Sequence, residues 1–128
     1  MLSKGPAEFY EMKKILLIED DPDTSEIMRY LLQRLGFDVD FSYGILPLPD
    51  VLKIHPDLII LDHRLNNGYG GTFCEKLKNT QSTQPIPILM LSASHDIEKI
   101  AKECGANFYL TKPFDLSKLE NAVYSLLE

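Results

Sequence analysis

With 128 residues, 45% hydrophobic and 25% charged, the chain has material for one domain with a sizeable core and too little for two ordinary ones. A net charge of −6, from 13 basic and 19 acidic residues, argues against a broad basic face for nucleic acid or for an anionic membrane surface. Cys74 and Cys104 fall in separate predicted helices and read as buried small hydrophobes in a reducing compartment; His55, His63 and His95 are scattered and form no zinc pattern.

No apolar run approaches the roughly 18 residues of a membrane span, and Met1 to Met12 carry no signal-peptide core. A cytoplasmic protein is expected, with no membrane contact. Residues 1–12 read as an extension without chemistry, and residues 13–128 as the domain itself.

Lys13 to Asp20 holds four aliphatics and ends in acid, which predicts strand one. Pro22 to Leu35 predicts a helix, with Asp23 and Glu26 fitting a capping box. Its apolar stripe is Ile27, Met28, Leu31, Leu32 and Leu35, and Gly36 ends it. Phe37 to Ser42 alternates and predicts an edge strand. Pro47 and Pro49 cannot sit inside a helix, because each removes a donor and clashes with the preceding turn at about 3 kcal/mol. A short second helix from Pro49, as its first residue, to Ile54 is expected. Ile45, Leu46 and Leu48 then lie in a loop, either packed on the core or forming a patch for a partner.

Leu58-Ile59-Ile60-Leu61-Asp62 predicts a third strand, buried on both faces as in a parallel sheet. Leu65 to Gly70 reads as a loop leading into a helix over Gly71 to Lys78, with Phe73 and Leu77 facing inward. Pro87 to Leu91 predicts strand four, ending at Ser92. Ser94 or Asp96 caps a helix reaching Cys104, and Gly105 ends it. Phe108 to Thr111 is strand five, followed by Lys112-Pro113. Asp115 caps the last helix, with a stripe of Leu116, Leu119, Val123, Leu126 and Leu127. Five strands alternating with helices imply a three-layer αβα fold around a parallel sheet, flavodoxin-like, of order 2-1-3-4-5.

That order gathers several chemically active residues at the carboxyl ends of the strands, where open α/β sheets place their ligands. Strand one offers Glu19, Asp20 and Asp21, strand three Asp62, strand four Ser92 and strand five Lys112. Alone, each has an ordinary explanation: Asp62 a strand-ending turn cap, Asp21 a helix start, Lys112 a surface cation. Together they make a coherent set. Clustered carboxylates repel unless a hard dication joins them, and Mg²⁺ suits a few carboxylates plus waters. An Asp can accept a phosphoryl group as nucleophile, and a cation and a hydroxyl can hold the charge of that group in transfer.

Ile15-Leu16-Leu17-Ile18-Glu19-Asp20-Asp21, Pro56-Asp57-Leu58-Ile59-Ile60-Leu61-Asp62, Leu91-Ser92-Ala93 and Thr111-Lys112-Pro113-Phe114 together resemble the receiver domain of two-component response regulators, over about Lys13 to Leu127. The resemblance implies that Asp62 accepts a phosphoryl group from a sensor histidine kinase or histidine phosphotransfer protein. It implies Mg²⁺, with Mn²⁺ able to substitute, held by Asp20 and Asp62 directly, by Glu19 through water and by the backbone carbonyl of Arg64. Ser92 would swing in to hydrogen-bond the phosphoryl group, Lys112 would pair with it, and the Lys112–Pro113 bond would be cis. Tyr109 matches the aromatic switch position that turns inward with Ser92. The face made by helix four, strand five and helix five, including Tyr109 and Lys102, would carry the signal to an effector in trans or to an output domain in a longer chain. A homodimer through that face is a candidate assembly, with no direct nucleic-acid contact.

Two stretches depart from the family's pattern. The loop Leu65-Asn66-Asn67-Gly68-Tyr69-Gly70 lacks the family's Pro, and the second helix is broken by Pro. His63 reads as a packing or surface residue, and Asp57 as a turn residue. The Arg64 side chain either borders the mouth of the site and governs hydrolytic water or points to solvent. Two competing functions leave weaker traces. A haloacid-dehalogenase-type phosphohydrolase needs Asp-x-Asp-x-Thr after strand one, but Asp21-Pro22-Asp23-Thr24 has its Thr one residue early. A receiver-like module that only binds partners would not need the intact acids and Lys112.

Overall fold

Alternation along the aliphatic runs decides the architecture. A strand turns successive side chains to opposite faces, so a continuous apolar run needs cover on both. The computed structural model, which describes residues 13–128, supplies that cover. In chain order the elements are β1 (Lys14–Ile18), α1 (Pro22–Arg34), β2 (Asp38–Ser42), α2 (Leu48–Ile54), β3 (Leu58–Asp62), β4 (Arg64–Leu65), β5 (Gly68–Tyr69), α3 (Gly70–Lys78), β6 (Ile88–Ser92), α4 (Ile97–Cys104), β7 (Phe108–Thr111) and α5 (Leu116–Leu127). The extension expected over residues 1–12 lies outside the described residues.

One parallel sheet runs β2-β1-β3-β6-β7. Counted by its own strands, this is the expected 2-1-3-4-5 order. Ile15, Leu17, Leu58, Ile60, Leu89 and Leu91 face one layer, among Met28 and Leu32 of α1 and Leu119 and Val123 of α5. Leu16, Ile18, Ile59, Leu61, Ile88 and Met90 face the other, among Val51 of α2, Phe73 and Leu77 of α3, and Ile97 and Ala101 of α4. The three-layer flavodoxin-like fold is therefore as expected. Among the described residues, no helix is long and apolar enough to cross a membrane.

β1 and β3 lie side by side at the centre, with β2 beyond one and β6 beyond the other. This is a topological switch point, where the following loops part and leave a crevice. Asp57 fastens the far end of this pair: its Oδ2 accepts the Lys14 N–H at 2.8 Å, while its own N–H donates to the Lys14 carbonyl at 2.8 Å.

The structure corrects several local expectations. The cap of α1 is Asp21, whose Oδ2 accepts the Thr24 N–H at 3.0 Å, and not the Asp23–Glu26 box. Pro22 then falls in the first turn, where its missing N–H has no partner to lose. Ile27 and Leu116 are exposed to 60% and 56%, so the buried stripes of α1 and α5 are narrower than their apolar patterns. α2 starts at Leu48, one residue before Pro49. Ile45, Leu46 and Leu48 pack, half-buried, against the cluster shared with α3 and α4, so they are not an exposed patch.

The segment after Asp62 is no plain loop. β4 and β5 form an antiparallel hairpin, with Arg64 opposite Tyr69 and Leu65 opposite Gly68. Gly68 stands at φ 149, a region where a Cβ is penalised. Gly70 then passes so close to the end of β3 that a Cβ there would run into the Asp62 carbonyl.

Ile60 is wholly buried in the central strand. Ile60→Ala is expected to cost about 2–5 kcal/mol of stability. Chemical denaturation checks this as a lower midpoint at unchanged slope.

Candidate functional site

Parallel strands end on the same edge of the sheet, so a residue at each carboxyl end contributes to one surface. Glu19 and Asp20 follow β1, Asp62 ends β3, Ser92 ends β6 and Lys112 follows β7. Register aligns the last two strands, with Ser92 opposite Thr111. The Lys112–Pro113 bond is cis.

The Lys112 ammonium reaches back across the sheet. Its Nζ lies 2.8 Å from Glu19 Oε1 and 3.3 Å from Asp62 Oδ2. Glu19 is 1% exposed and Asp62 7%, so neither charge is well screened by water. One carboxylate oxygen each from Glu19, Asp20 and Asp62 lie within 4.8 Å of one another. The electrostatics follow from this crowding. Burial pushes the Asp62 carboxyl up to about 7; Lys112 opposes that rise, and the Glu19 charge adds to it. Asp20 is raised by burial and then by its hydrogen bond to Glu19 and the Glu19 charge. Burial works against the Lys112 ammonium, but its hydrogen bond to Glu19 and the Asp62 charge prevail and hold its pKa above the usual lysine value.

One ammonium cannot offset three carboxylates. The surplus negative charge, offered by hard oxygen donors, fits Mg²⁺. Glu19, Asp20 and Asp62 are the residues whose side chains could hold it.

Asp62, Arg64, Ser92, Ala93, Ser94 and Lys112 line one pocket over this cluster. The buried Ser92 Oγ accepts the Ser94 N–H at 3.0 Å. Six residues named from the sequence therefore meet: Glu19, Asp20, Asp62, Arg64, Ser92 and Lys112. Two do not join them. Asp21 spends its carboxylate on the α1 cap, which holds its pKa below the usual range through the Thr24 hydroxyl. Tyr109 lies on β7, half-buried against the cluster shared with α3 and α4, its ring centroid 5.8 Å from that of Phe108.

Two residues beyond Asp62 hold the following segment in place: His63, in the packing role expected of it, and Asn67, to which the sequence assigned no individual role. His63 Nδ1 accepts the Gly71 N–H at 3.1 Å, and its ring stacks on Tyr69 with centroids 5.4 Å apart. Asn67 binds the backbone of Ile45 at two points. The available signal was the Asn-Asn-Gly run, since such residues close tight hairpins.

The chain belongs to the response regulator receiver domain family, whose model matches residues 15–124. It is 38% identical over 119 residues to the DNA-binding dual master transcriptional regulator RpaA of Synechocystis, covering 91% of this chain and 49% of that protein. It is 35% identical over 115 residues to the phosphate regulon transcriptional regulatory protein PhoB of Escherichia coli, covering 84% of this chain and 48% of that one. The chain thus spans about half the length of the curated relatives it matches. Among solved structures, it superposes on the receiver domain of a sensor histidine kinase from Pseudomonas aeruginosa PAO1, described with magnesium coordinated in its active site cleft. That match has a TM-score of 0.80 at 27% identity, over 90% of this chain and 97% of that one.

A dication that relieves the surplus charge binds the folded state and stabilises it by mass action. At Mg²⁺ a hundredfold above its dissociation constant the gain is about 2.7 kcal/mol. Thermal melts with Mg²⁺ and with chelator are expected to separate for the wild type and to converge for Asp20→Asn.

Proposed function

We propose that Asp62 is the phosphoacceptor of an Mg²⁺-dependent switch. An Asp62 carboxylate oxygen attacks the phosphorus of a phosphohistidine. The new O–P bond forms as the P–N bond breaks, and the electron pair leaves with the imidazole nitrogen, which takes a proton from solvent. Lys112, already 3.3 Å from Asp62, holds its ammonium beside the phosphoryl oxygens. The Ser92 hydroxyl, at the wall of the same pocket, donates a hydrogen bond to the group once it is attached. Asp20 and Asp62 would hold Mg²⁺ directly, Glu19 through water, and the Arg64 carbonyl would complete the protein ligands; Mn²⁺ would be able to take its place. When bound, such an ion would supply positive charge beside the phosphoryl oxygens. Water later cleaves the O–P bond, releasing inorganic phosphate and restoring the carboxylate.

The observation that carries this reading is the convergence of Lys112 on both Glu19 and Asp62 beside Asp20. The phosphoryl donor is a sensor histidine kinase or a histidine phosphotransfer protein, in keeping with the family. Phosphorylation shifts an existing two-state equilibrium that Ser92 and Tyr109 report to the α4–β7–α5 face. An effector in trans, an output domain in a longer chain, or a second copy of this chain reads that face. The domain is residues 13–128, it works in the cytoplasm, and it does not itself contact nucleic acid.

Incubation with Mg²⁺ and acetyl phosphate or a phosphoramidate is expected to add one phosphate by intact mass, absent in Asp62→Asn. A wild type that takes no phosphate overturns the reading in favour of a module that only binds partners. Arg64, an exposed residue, is among those lining the pocket, and a guanidinium at its mouth would exclude or misplace hydrolytic water. Arg64→Ala is expected to change the lifetime of the acyl phosphate by severalfold. Following phosphate release from the isolated phosphoprotein measures it, and an unchanged lifetime sinks the idea.

A further inference from the structure

The two stretches in which this chain departs from the family's usual pattern touch each other. Asn67 Oδ1 accepts the Ile45 N–H at 2.9 Å, and Asn67 Nδ2 donates to the Ile45 carbonyl at 3.2 Å. One side chain thereby makes both bonds that a paired strand residue would make. The apolar contact is equally close: a Cβ on Gly68 would come within 2.8 Å of Ile45 Cδ1. The Pro-interrupted segment before α2 is thus the seat on which the hairpin rests.

That seat is tied to the acidic cluster. The Ser42 carbonyl, at the end of β2, accepts the Glu19 N–H at 3.1 Å. The Ser42 hydroxyl donates to the Gly44 carbonyl at 2.6 Å and accepts the Gly44 N–H at 3.2 Å. The base of the hairpin is held separately. The His63 carbonyl accepts the Gly70 N–H at 2.6 Å, and its Nδ1 accepts the Gly71 N–H at 3.1 Å.

Between these anchors lies Arg64. Antiparallel pairs alternate between hydrogen-bonded and non-hydrogen-bonded. Leu65 and Gly68 close a two-residue turn and form a bonded pair, and His63 with Gly70 is the next. Arg64 opposite Tyr69 is the non-bonded pair between them, so its carbonyl points out of the hairpin.

We propose that Asn67 is a positioning residue for the metal site. By gripping Ile45 it fixes the hairpin against the segment that follows β2, which the Ser42 carbonyl joins to Glu19, and so sets where the Arg64 carbonyl stands relative to Glu19, Asp20 and Asp62. This rests on the reading of that cluster as an Mg²⁺ site. Outer groups that orient metal ligands typically change affinity by about 10–100-fold when removed, and a single carbonyl ligand belongs at the low end of that range.

Calorimetric Mg²⁺ titration of Asn67→Ala is expected to show binding about tenfold weaker than wild type, with faster amide exchange at Ile45. Gly44→Ala provides a second approach, because its new Cβ would come 2.7 Å from Asn67 Oδ1 and push the grip apart. It is expected to weaken Mg²⁺ in the same direction. In the double variant the added methyl meets no Asn67 side chain, so its affinity is expected to match Asn67→Ala alone. Unchanged Mg²⁺ affinity in Asn67→Ala despite faster exchange at Ile45 overturns the proposal, since a merely structural grip would move exchange and melting only. Full additivity in the double variant overturns it too. A wild type that binds no Mg²⁺ overturns the metal-site reading and this proposal with it.

Discussion

The ion pair between Lys112 and Glu19 joins the two ends of the domain's chemistry. The partners lie 93 residues apart in sequence and 2.8 Å apart in space. A carboxylate as buried as Glu19 is costly without a compensating cation. The same ammonium serves Asp62, so one side chain neutralises part of a charge that three carboxylates create. Removing it would leave two buried acids without their cation at once. The residual negative charge suits the pocket to a dication; a dication and the Lys112 ammonium together would hold the negative oxygens of a transferred phosphoryl group.

The sheet makes this concentration of charge tolerable. β1, β3 and β6 are dry on both faces, and the carboxyl ends of β1 and β3 hold acids that would otherwise move apart. Because the strands are parallel, no two neighbours in the sheet are joined by a tight turn at that edge, and the segments there can take different forms. Variation is concentrated on one side. The hairpin after Asp62 and the Pro-interrupted segment before α2 each look anomalous alone, but each supplies what the other lacks. Asn67 satisfies the backbone of a segment that Pro47 and Pro49 keep from starting a helix earlier, and that segment gives the hairpin a surface to lie on.

Much of the fold was legible in the residues. Leu58 to Leu61 read as a buried strand because four aliphatics in a row have no solvated face, and all four are fully buried. The positions of Glu19, Asp20, Asp62, Ser92 and Lys112 at strand ends followed from the same runs, since each run stops where the polar residue begins. Helix edges were less legible. Asp21 and Asp23 are both capable caps, and only the path of the chain out of β1 selects the first. Ile27 and Leu116 are apolar at helical spacing yet exposed, because the sheet covers a narrower arc of each helix than the pattern suggests.

What the sequence determined by itself was local: which runs become strands, where each must stop, and which reactive groups stand at the stops. Tertiary structure alone decided which atoms of those groups pair. Lys112 finds Glu19 across the ends of β6 and β3, and Asn67 finds Ile45 over 22 residues. Hydrophobic periodicity reports only whether a side chain faces the core. It is silent on pairings between polar atoms distant in the chain, because those depend on strand order and loop path.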